Sequence, residues 1–189
     1  MDAESLFAGP FPALRGDRLL LRSLAPSDAT ALYHQFSDDE VVRYYDLDAF
    51  TDPQQGEHLV TLWLQRYEQR IGLRWAICRP EAPQTLLGTC GYNLWIQRSA
   101  RAVLGFDLDR AHWRQGIMTE ALQLVLSFGF DRMELNRVEA VVFRDNAASC
   151  GLLTKSGFTR EGLLRDYEYL HGRFEDMHMF SLLRRDVST

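Results

Sequence analysis

Apolar positions in this chain recur in short blocks that switch between a period of two and a period near 3.6, the mark of strands and helices packed on a shared core. Arg18 to Leu24 reads as a first strand, and Pro26-Ser27-Asp28 opens a helix expected to reach about Phe36. Thr51-Asp52-Pro53 is a second helix start, an N-cap acid with proline at the first helical position. Leu59, Leu62, Trp63 and Tyr67 follow at helical spacing. Leu73 to Cys78 and Leu86 to Ile96 are strand-like runs separated by Pro80 and Pro83, which predicts an antiparallel hairpin with a wide loop. Ala102 to Asp109 is a strand with Val103, Gly105, Asp107 and Asp109 on one face and Leu104, Phe106 and Leu108 on the other. A turn ending in Gly116 leads into a long helix from about Met118 to Met133. Its stripe of Met118, Ala121, Leu122, Val125 and Phe128 is broad enough to lie on a sheet. Arg137 to Phe143 is a buried-type strand, and Asp145-Asn146 opens a short helix that Gly157 closes. Phe158 to Leu170 and Phe174 to Leu183 form a last hairpin across His171, Gly172 and Arg173.

Strand pairs joined by turns, mixed with a strand-helix-strand crossover, predict an α/β (α+β) mixed sheet with helices on both faces. Ligands bind such sheets where strand pairing breaks, which points at the end of the strand Ala102 to Asp109. With no repeat and no linker, the 189 residues are expected to form one domain, with a core of about 18–184 and a short extension over 1–17. A chain of this size buries roughly 70% of its extended surface and needs no staples.

Charge narrows the partners. Against 26 acidic residues stand 21 Lys and Arg, a net charge of −5, which offers no field for nucleic-acid backbones or anionic membranes and mildly favours an amine-bearing partner. Cys78, Cys90 and Cys150 have no metal or redox spacing and are expected reduced, hence a cytoplasmic protein. The first residues carry acids where a signal peptide would be basic, and no apolar run nears the ~18 residues of a membrane span. Five scattered histidines give no metal-ligand pattern, so no metal is expected.

The segment from Leu104 to Ala121 has the form strand, tight turn with Gly116, then helix. Helix N-termini gather unpaired N–H groups and the positive end of the helix dipole, an anion site in principle. The segment lacks the Gly-Lys-Ser/Thr of a P-loop and the GxGxxG of dinucleotide folds, so a pyrophosphate held without catalytic magnesium fits it better. Read alone, Gly116 equally suits an ordinary helix start.

The run Trp113-Arg-Gln-Gly-Ile-Met-Thr-Glu-Ala121 resembles the coenzyme A pyrophosphate loop of the GCN5-related N-acetyltransferases (GNAT), in the version found in their RimJ/RimL-type branch. Asn146-Ala-Ala-Ser149, Lys155-Ser-Gly-Phe158 and Glu161-Gly-Leu-Leu-Arg165 resemble that branch's next motif, and the likeness covers roughly Leu19 to Leu183. Departures are Trp113 and Met118, where the wider family has Gln or Arg and Gly or Ala, and Leu153, where many members place a tyrosine general acid.

The resemblance implies a mostly antiparallel seven-stranded sheet with about four helices and splayed central strands. It implies acetyl-CoA as cosubstrate and direct acetyl transfer to a primary amine. The favoured acceptor is a protein N-terminal Ala or Ser amine of ribosomal-protein type. A small amine such as a polyamine or antibiotic, and a non-catalytic acyl-CoA-binding module, stand as alternatives, and a homodimer stays open. In that scheme the backbone at Phe106, Asp107 and Leu108 pairs with pantetheine, and an amide near Phe106 or Leu108 polarises the thioester. Amides of Gln115, Gly116, Ile117, Met118 and Thr119 hold the pyrophosphate, Arg114 adds charge there, and Asn146 faces the cofactor. Glu168, 19 residues after Ser149, is implied as the base and Ser149 as the donor to the thiolate. Trp95, Tyr44 and Tyr45 are read either as acceptor-pocket lining or as core.

Overall fold

A computed structural model of the chain describes Phe7, residues 9–170 and residues 172–187. Its strands are β1 (Leu14–Arg15), β2 (Leu20–Ser23), β3 (Leu73–Cys78), β4 (Gly88–Ile96), β5 (Arg101–Leu108), β6 (Arg137–Phe143), β7 (Thr159–Leu170) and β8 (Arg173–Leu183). Four helices of eight residues or more accompany them: α1 (Ala29–Phe36), α3 (Pro53–Glu68), α4 (Ile117–Asp131) and α5 (Ala147–Lys155). Two single turns, α2 (Asp39–Val42) and α6 (Arg184–Val187), also occur among the described residues. The strands form one sheet in the order β1-β2-β3-β4-β5-β6-β8-β7, antiparallel everywhere except between β5 and β6.

The expected mixed sheet with helices on both faces is present, with eight strands rather than seven. The added strand is β1, whose Leu14 and Arg15 pair with Leu21 and Leu20. Two residues carry too little periodicity to be read as a strand from sequence. The predicted start of α3 is realised as a capping box: Asp52 Oδ1 accepts from Gln54 N–H, and Gln55 Oε1 accepts from the Asp52 N–H, both at 2.9 Å. The helix predicted from Pro26 begins as a 3-10 turn over Pro26–Asp28, and Asp28 is held by Arg22 at 2.7 and 2.8 Å. Of the last hairpin's predicted turn, His171 lies outside the described residues.

Two cores follow from the alternation along the strands. On one face Leu73, Trp75, Ile77 and Leu104 pack under α4, together with Val138, Phe180 and Leu153 of α5. On the other, Ala76 and Cys78 pack under α1, α2 and α3 with Leu32, Phe36, Val42, Leu59 and Trp63. Each Leu or Phe buried in these layers contributes about 2 kcal/mol from lost apolar surface. α4 buries both Ile117 and Met118 in its first turn, which pins the start of that helix to the sheet.

The parallel contact between β5 and β6 is short. It runs from Arg101↔Arg137 through Ala102↔Val138 to Val103↔Glu139 and ends there. Beyond it β5 continues on β4 as far as Leu108, and β6 continues on β8 as far as Phe143, so the two strands part as a V. Ion pairs tie the closed end. Glu139, its side chain nearly buried, accepts from Arg101 Nη1 and Arg137 Nε at 2.6 Å each, and Arg137 reaches on to Glu161 of β7 at 2.8 and 2.5 Å. Ser181 of β8 donates to the same Glu161 at 2.7 Å.

Candidate active site

The open end of the V brings most of the sequence-predicted cofactor residues together. From Leu104 to Leu108, the edge of β5 that faces β6 has left its ladder, and Phe106, Asp107 and Leu108 lie on that stretch. Phe106 and Leu108 turn their side chains into the core under α4. The chain then makes a tight loop to the N-terminus of α4. Asp109 Oδ1 accepts from Ala111 N–H at 2.8 Å, and Trp113 Nε1 donates to the Leu108 carbonyl at 2.8 Å. Trp113 therefore anchors the loop to the end of β5, which gives this departure from the wider pattern a structural task.

Two residues of the loop adopt left-handed backbone, Arg114 at φ 61° and Gly116 at φ 75°. Glycine takes that conformation freely, whereas at Arg114 it costs on the order of 1 kcal/mol. Gly116 is the N-cap of α4, and no side chain caps the helix start. The side chains of Ile117 and Met118 are buried against the sheet, so the long side chain at Met118 leaves the loop side clear. Arg114, Gln115 and Gly116 are exposed, and Thr119 is half-buried. Arg18 braces the loop from outside: its N–H and Nε donate to the two oxygens of Glu120 at 2.8 Å each, and Nη1 donates to the Gln115 carbonyl at 3.3 Å.

α5 carries the second motif. Asn146 caps it, its Oδ1 accepting from Ser149 N–H at 3.0 Å, and both side chains are half-buried. Leu153, at the position of that tyrosine, is fully buried in the core under α5.

Asp107 does more than the sequence reading assigned to it. While its backbone lies on the open edge, its carboxylate points to the α1/α3 face and accepts from Gln35 Nε2 (2.6 Å), Thr89 N–H (3.1 Å), Thr89 Oγ1 (2.6 Å), Tyr45 Oη (3.4 Å) and Arg74 Nη2. Arg74 is almost completely buried beneath the Trp63 ring, 4.7 Å from its centroid. Burial opposes its charge, yet the neighbouring Tyr45 and Asp107 keep the guanidinium above its ordinary pKa. Desolvation at its half-buried position likewise pushes the phenol of Tyr45 above the usual range.

Beside the mouth of the V lies a cleft of about 490 Å³, bounded by Tyr44, Phe143 and Phe174, by Asp145, Asp166, Glu175 and Asp176, and by Arg43, Arg144 and Arg173. The β7–β8 register jumps here from Leu164↔Met177 to Glu168↔Glu175, and Asp166, at φ 49°, donates its N–H to Asp176 Oδ1 at 3.0 Å. Glu168 is exposed on β7 opposite Glu175, two residues beyond Asp166. Of the three aromatic candidates, Tyr44 lines the cleft, whereas Tyr45 belongs to the Asp107 network and Trp95 is buried against Phe7. Among the described residues no group of three or more His, Cys, Asp or Glu is placed to hold a metal, and no helix is long and apolar enough to cross a membrane.

Residues 18–159 match the acetyltransferase (GNAT) domain family. The chain belongs to the GNAT acetyltransferases. It is 39% identical over 174 residues to the uncharacterized N-acetyltransferase YoaA of Bacillus subtilis, covering 92% of this chain and 98% of that one. To the uncharacterized N-acetyltransferase p20 of Bacillus licheniformis it is 39% identical over 172 residues, 91% and 96% of the two chains. Among solved structures, a probable GNAT-family acetyltransferase from Chromobacterium violaceum superposes with a TM-score of 0.85 at 27% identity, over 96% of this chain and 92% of that one. The ribosomal L7/L12 alpha-N-protein acetyltransferase RimL, in complex with coenzyme A, gives 0.82 at 22% identity, over 91% and 98%.

As a GNAT enzyme this acetyltransferase draws its acetyl group from acetyl-CoA. The chain's own features fit that donor: an uncapped helix N-terminus for a pyrophosphate, and an unpaired strand edge leading from it into the V for the pantetheine amides. Sequence reasoning missed Arg18 and Arg74. A signal for Arg74 was there, since it is the one charged residue in Leu73 to Cys78, just as Asp107 interrupts an apolar run. Arg18 carried no such signal, because its partner is 102 residues away.

Proposed function

We propose that this enzyme is an acetyltransferase of the RimJ/RimL type that acetylates the N-terminal amine of a protein, with Ala or Ser as the exposed residue. The observation that carries the reading is the open edge of β5 from Leu104 to Leu108, which runs straight into the uncapped start of α4. On this reading the amides of Gln115 to Thr119 hold the pyrophosphate, with Arg114 adding charge. The edge at Phe106, Asp107 and Leu108 pairs with the pantetheine amides, and Asn146 and Ser149 stand beside the sulfur. The cleft beside the V, where aromatic walls meet both carboxylates and the arginines Arg43, Arg144 and Arg173, has a volume that suits the first residues of a peptide. Support for the acceptor class comes from an acetyltransferase of Salmonella typhimurium described as modifying the N-terminal serine of ribosomal protein L7/L12, with a TM-score of 0.82 at 22% identity over 91% of this chain and 99% of that one.

The acceptor must lose a proton before attack. An α-amine with a pKa near 8 is partly neutral at pH 7, so a modest base suffices, and Glu168 takes that part, with Ser149 hydrogen-bonding the departing sulfur. Glu168→Gln is expected to lower kcat at pH 7 by about a hundredfold, with the deficit shrinking toward pH 9 as the amine deprotonates unaided. An unchanged rate at pH 7 removes Glu168 from the role. Titration with CoA followed by a panel of Ala- and Ser-initiated peptides, polyamines and aminoglycosides decides the acceptor. Turnover of the small amines alone would transfer the assignment to them, and CoA binding without any turnover would leave a binding module.

A further inference from the structure

β4 contains a bulge at one position. Its register on β5 passes from Tyr92↔Leu104 to Leu94↔Val103, so Asn93 is the extra residue, outside the ladder. Bulges free a side chain from the regular alternation and re-aim it. Asn93 is half-buried on the same side of the sheet as Arg74, and its Oδ1 accepts from Arg74 Nη1 at 2.8 Å. A guanidinium can only donate, so the carboxamide oxygen is committed to Arg74 and the Nδ2 donor must face the other way. Where it faces is fixed by Gly105: a Cβ at that position would collide with Asn93 Nδ2 and with Arg74 Nη1. Gly105 is the second residue past Val103, the last β5 residue paired to β6. The amide donor thus lies over the backbone just where the two strands part.

We propose that Asn93 donates through Nδ2 to the acyl oxygen of the thioester seated along β5, and that Arg74 is the positioning residue that aims it. This rests on the reading of the β5 edge as the thioester seat. In the transfer, the amine lone pair forms the N–C bond while the carbonyl π pair moves onto oxygen. That pair then returns, the C–S bond breaks, and one proton passes overall from nitrogen to sulfur. The negative oxygen in between is where a fixed donor acts, because a donor already held in place needs no reorganisation. A neutral amide suits an acceptor that arrives as a cation, since it polarises the carbonyl without repelling the amine. The charge of Arg74 is meanwhile balanced by Asp107. The arrangement also accounts for the burial of a guanidinium, costly in itself, at this point of the sheet.

Asn93→Asp is the decisive variant, because a carboxylate keeps the bond from Arg74 and offers no donor; Asn93→Ala removes both. Each is expected to lower kcat by about a hundredfold while leaving the calorimetric CoA affinity and the KM for acetyl-CoA within threefold. Independently of turnover, isotope-edited infrared spectra of bound acetyl-CoA should show the thioester carbonyl stretch at lower frequency in the wild type than in Asn93→Asp. A kcat for Asn93→Asp within threefold of wild type, or an unmoved carbonyl stretch, overturns the proposal. Loss of CoA affinity in the variants alone overturns it too, by reassigning Asn93 to binding. A wild-type enzyme that fails to bind CoA brings down the reading of the β5 edge itself, so the two failures are told apart.

Discussion

Arg18 holds Glu120 twice, backbone N–H to Oε1 and Nε to Oε2, and so ties the strand-β2 approach to the first turn of α4 at the point where the loop from β5 ends. Glu120 is mostly sheltered while Arg18 is half exposed, and the pair also steadies the loop through the Gln115 carbonyl. Glu120→Ala leaves the Arg18 N–H without its acceptor. We expect a stability loss of about 2 kcal/mol in urea unfolding, from hydrogen bonds to a charged group, and a CoA affinity about tenfold weaker by calorimetry. Stability loss with unchanged affinity would mean that the brace serves the fold alone.

Gly116 tests the loop more directly. A methyl group there would sit 3.5 Å from Arg18 Nη2, an ordinary contact, so the obstacle to Gly116→Ala is the left-handed φ of 75° rather than space. The conformational penalty is about 1–2 kcal/mol. Relaxing it rotates the peptide units to which the proposed function assigns the pyrophosphate. CoA affinity is expected to fall more than tenfold while the unfolding midpoint shifts modestly; equal losses in both would point to a general collapse of the helix start.

The ladder at the closed end of the V carries a pH signature. Arg137 and Ser181 hold the Glu161 carboxyl down to about 2. An unfolded glutamate titrates near 4.3, so the folded pKa lies below the unfolded one. That pair's contribution is complete above about pH 4.3 and is lost as pH falls toward about 2. Glu161→Gln should flatten the decline of the urea midpoint across that window and leave the profile above pH 5 parallel to wild type. An unchanged slope between pH 4 and 2 would assign the acid sensitivity elsewhere.

The three thiols are free and differ in access. Burial pushes the Cys90 thiol up to about 12 and raises Cys78 as well, while Cys150, half-buried beside Ser149, is raised by milder desolvation. Since the thiolate is the reactive form, iodoacetamide at pH 8 should modify Cys150 first and leave Cys90 untouched in the native enzyme, as read by mass spectrometry. Bound CoA should slow the labelling of Cys150; equal labelling with and without CoA would separate the first turn of α5 from the cofactor.

By itself the sequence determined the elements and the tight turn into α4, because their causes are local. The Asp52-Pro53 helix start, the alternation of β5 and a glycine before α4 act within a few residues, and the motif from Trp113 to Ala121 lies on one continuous stretch. Tertiary structure decided the rest. The V depends on how far the register between Arg101 and Arg137 is carried, a matter of pairing across 36 residues. β1 exists only through its pairing with β2. Asp107 was legible as a polar interruption of β5 yet was assigned through its backbone, because its partners Gln35, Tyr45, Arg74 and Thr89 come from four other parts of the chain. Asn93 had no signal, since a bulge is a mismatch between two strands and belongs to neither strand alone. What adjoining residues impose on one another is written along the chain, and what opposing residues impose appears only once the sheet is assembled.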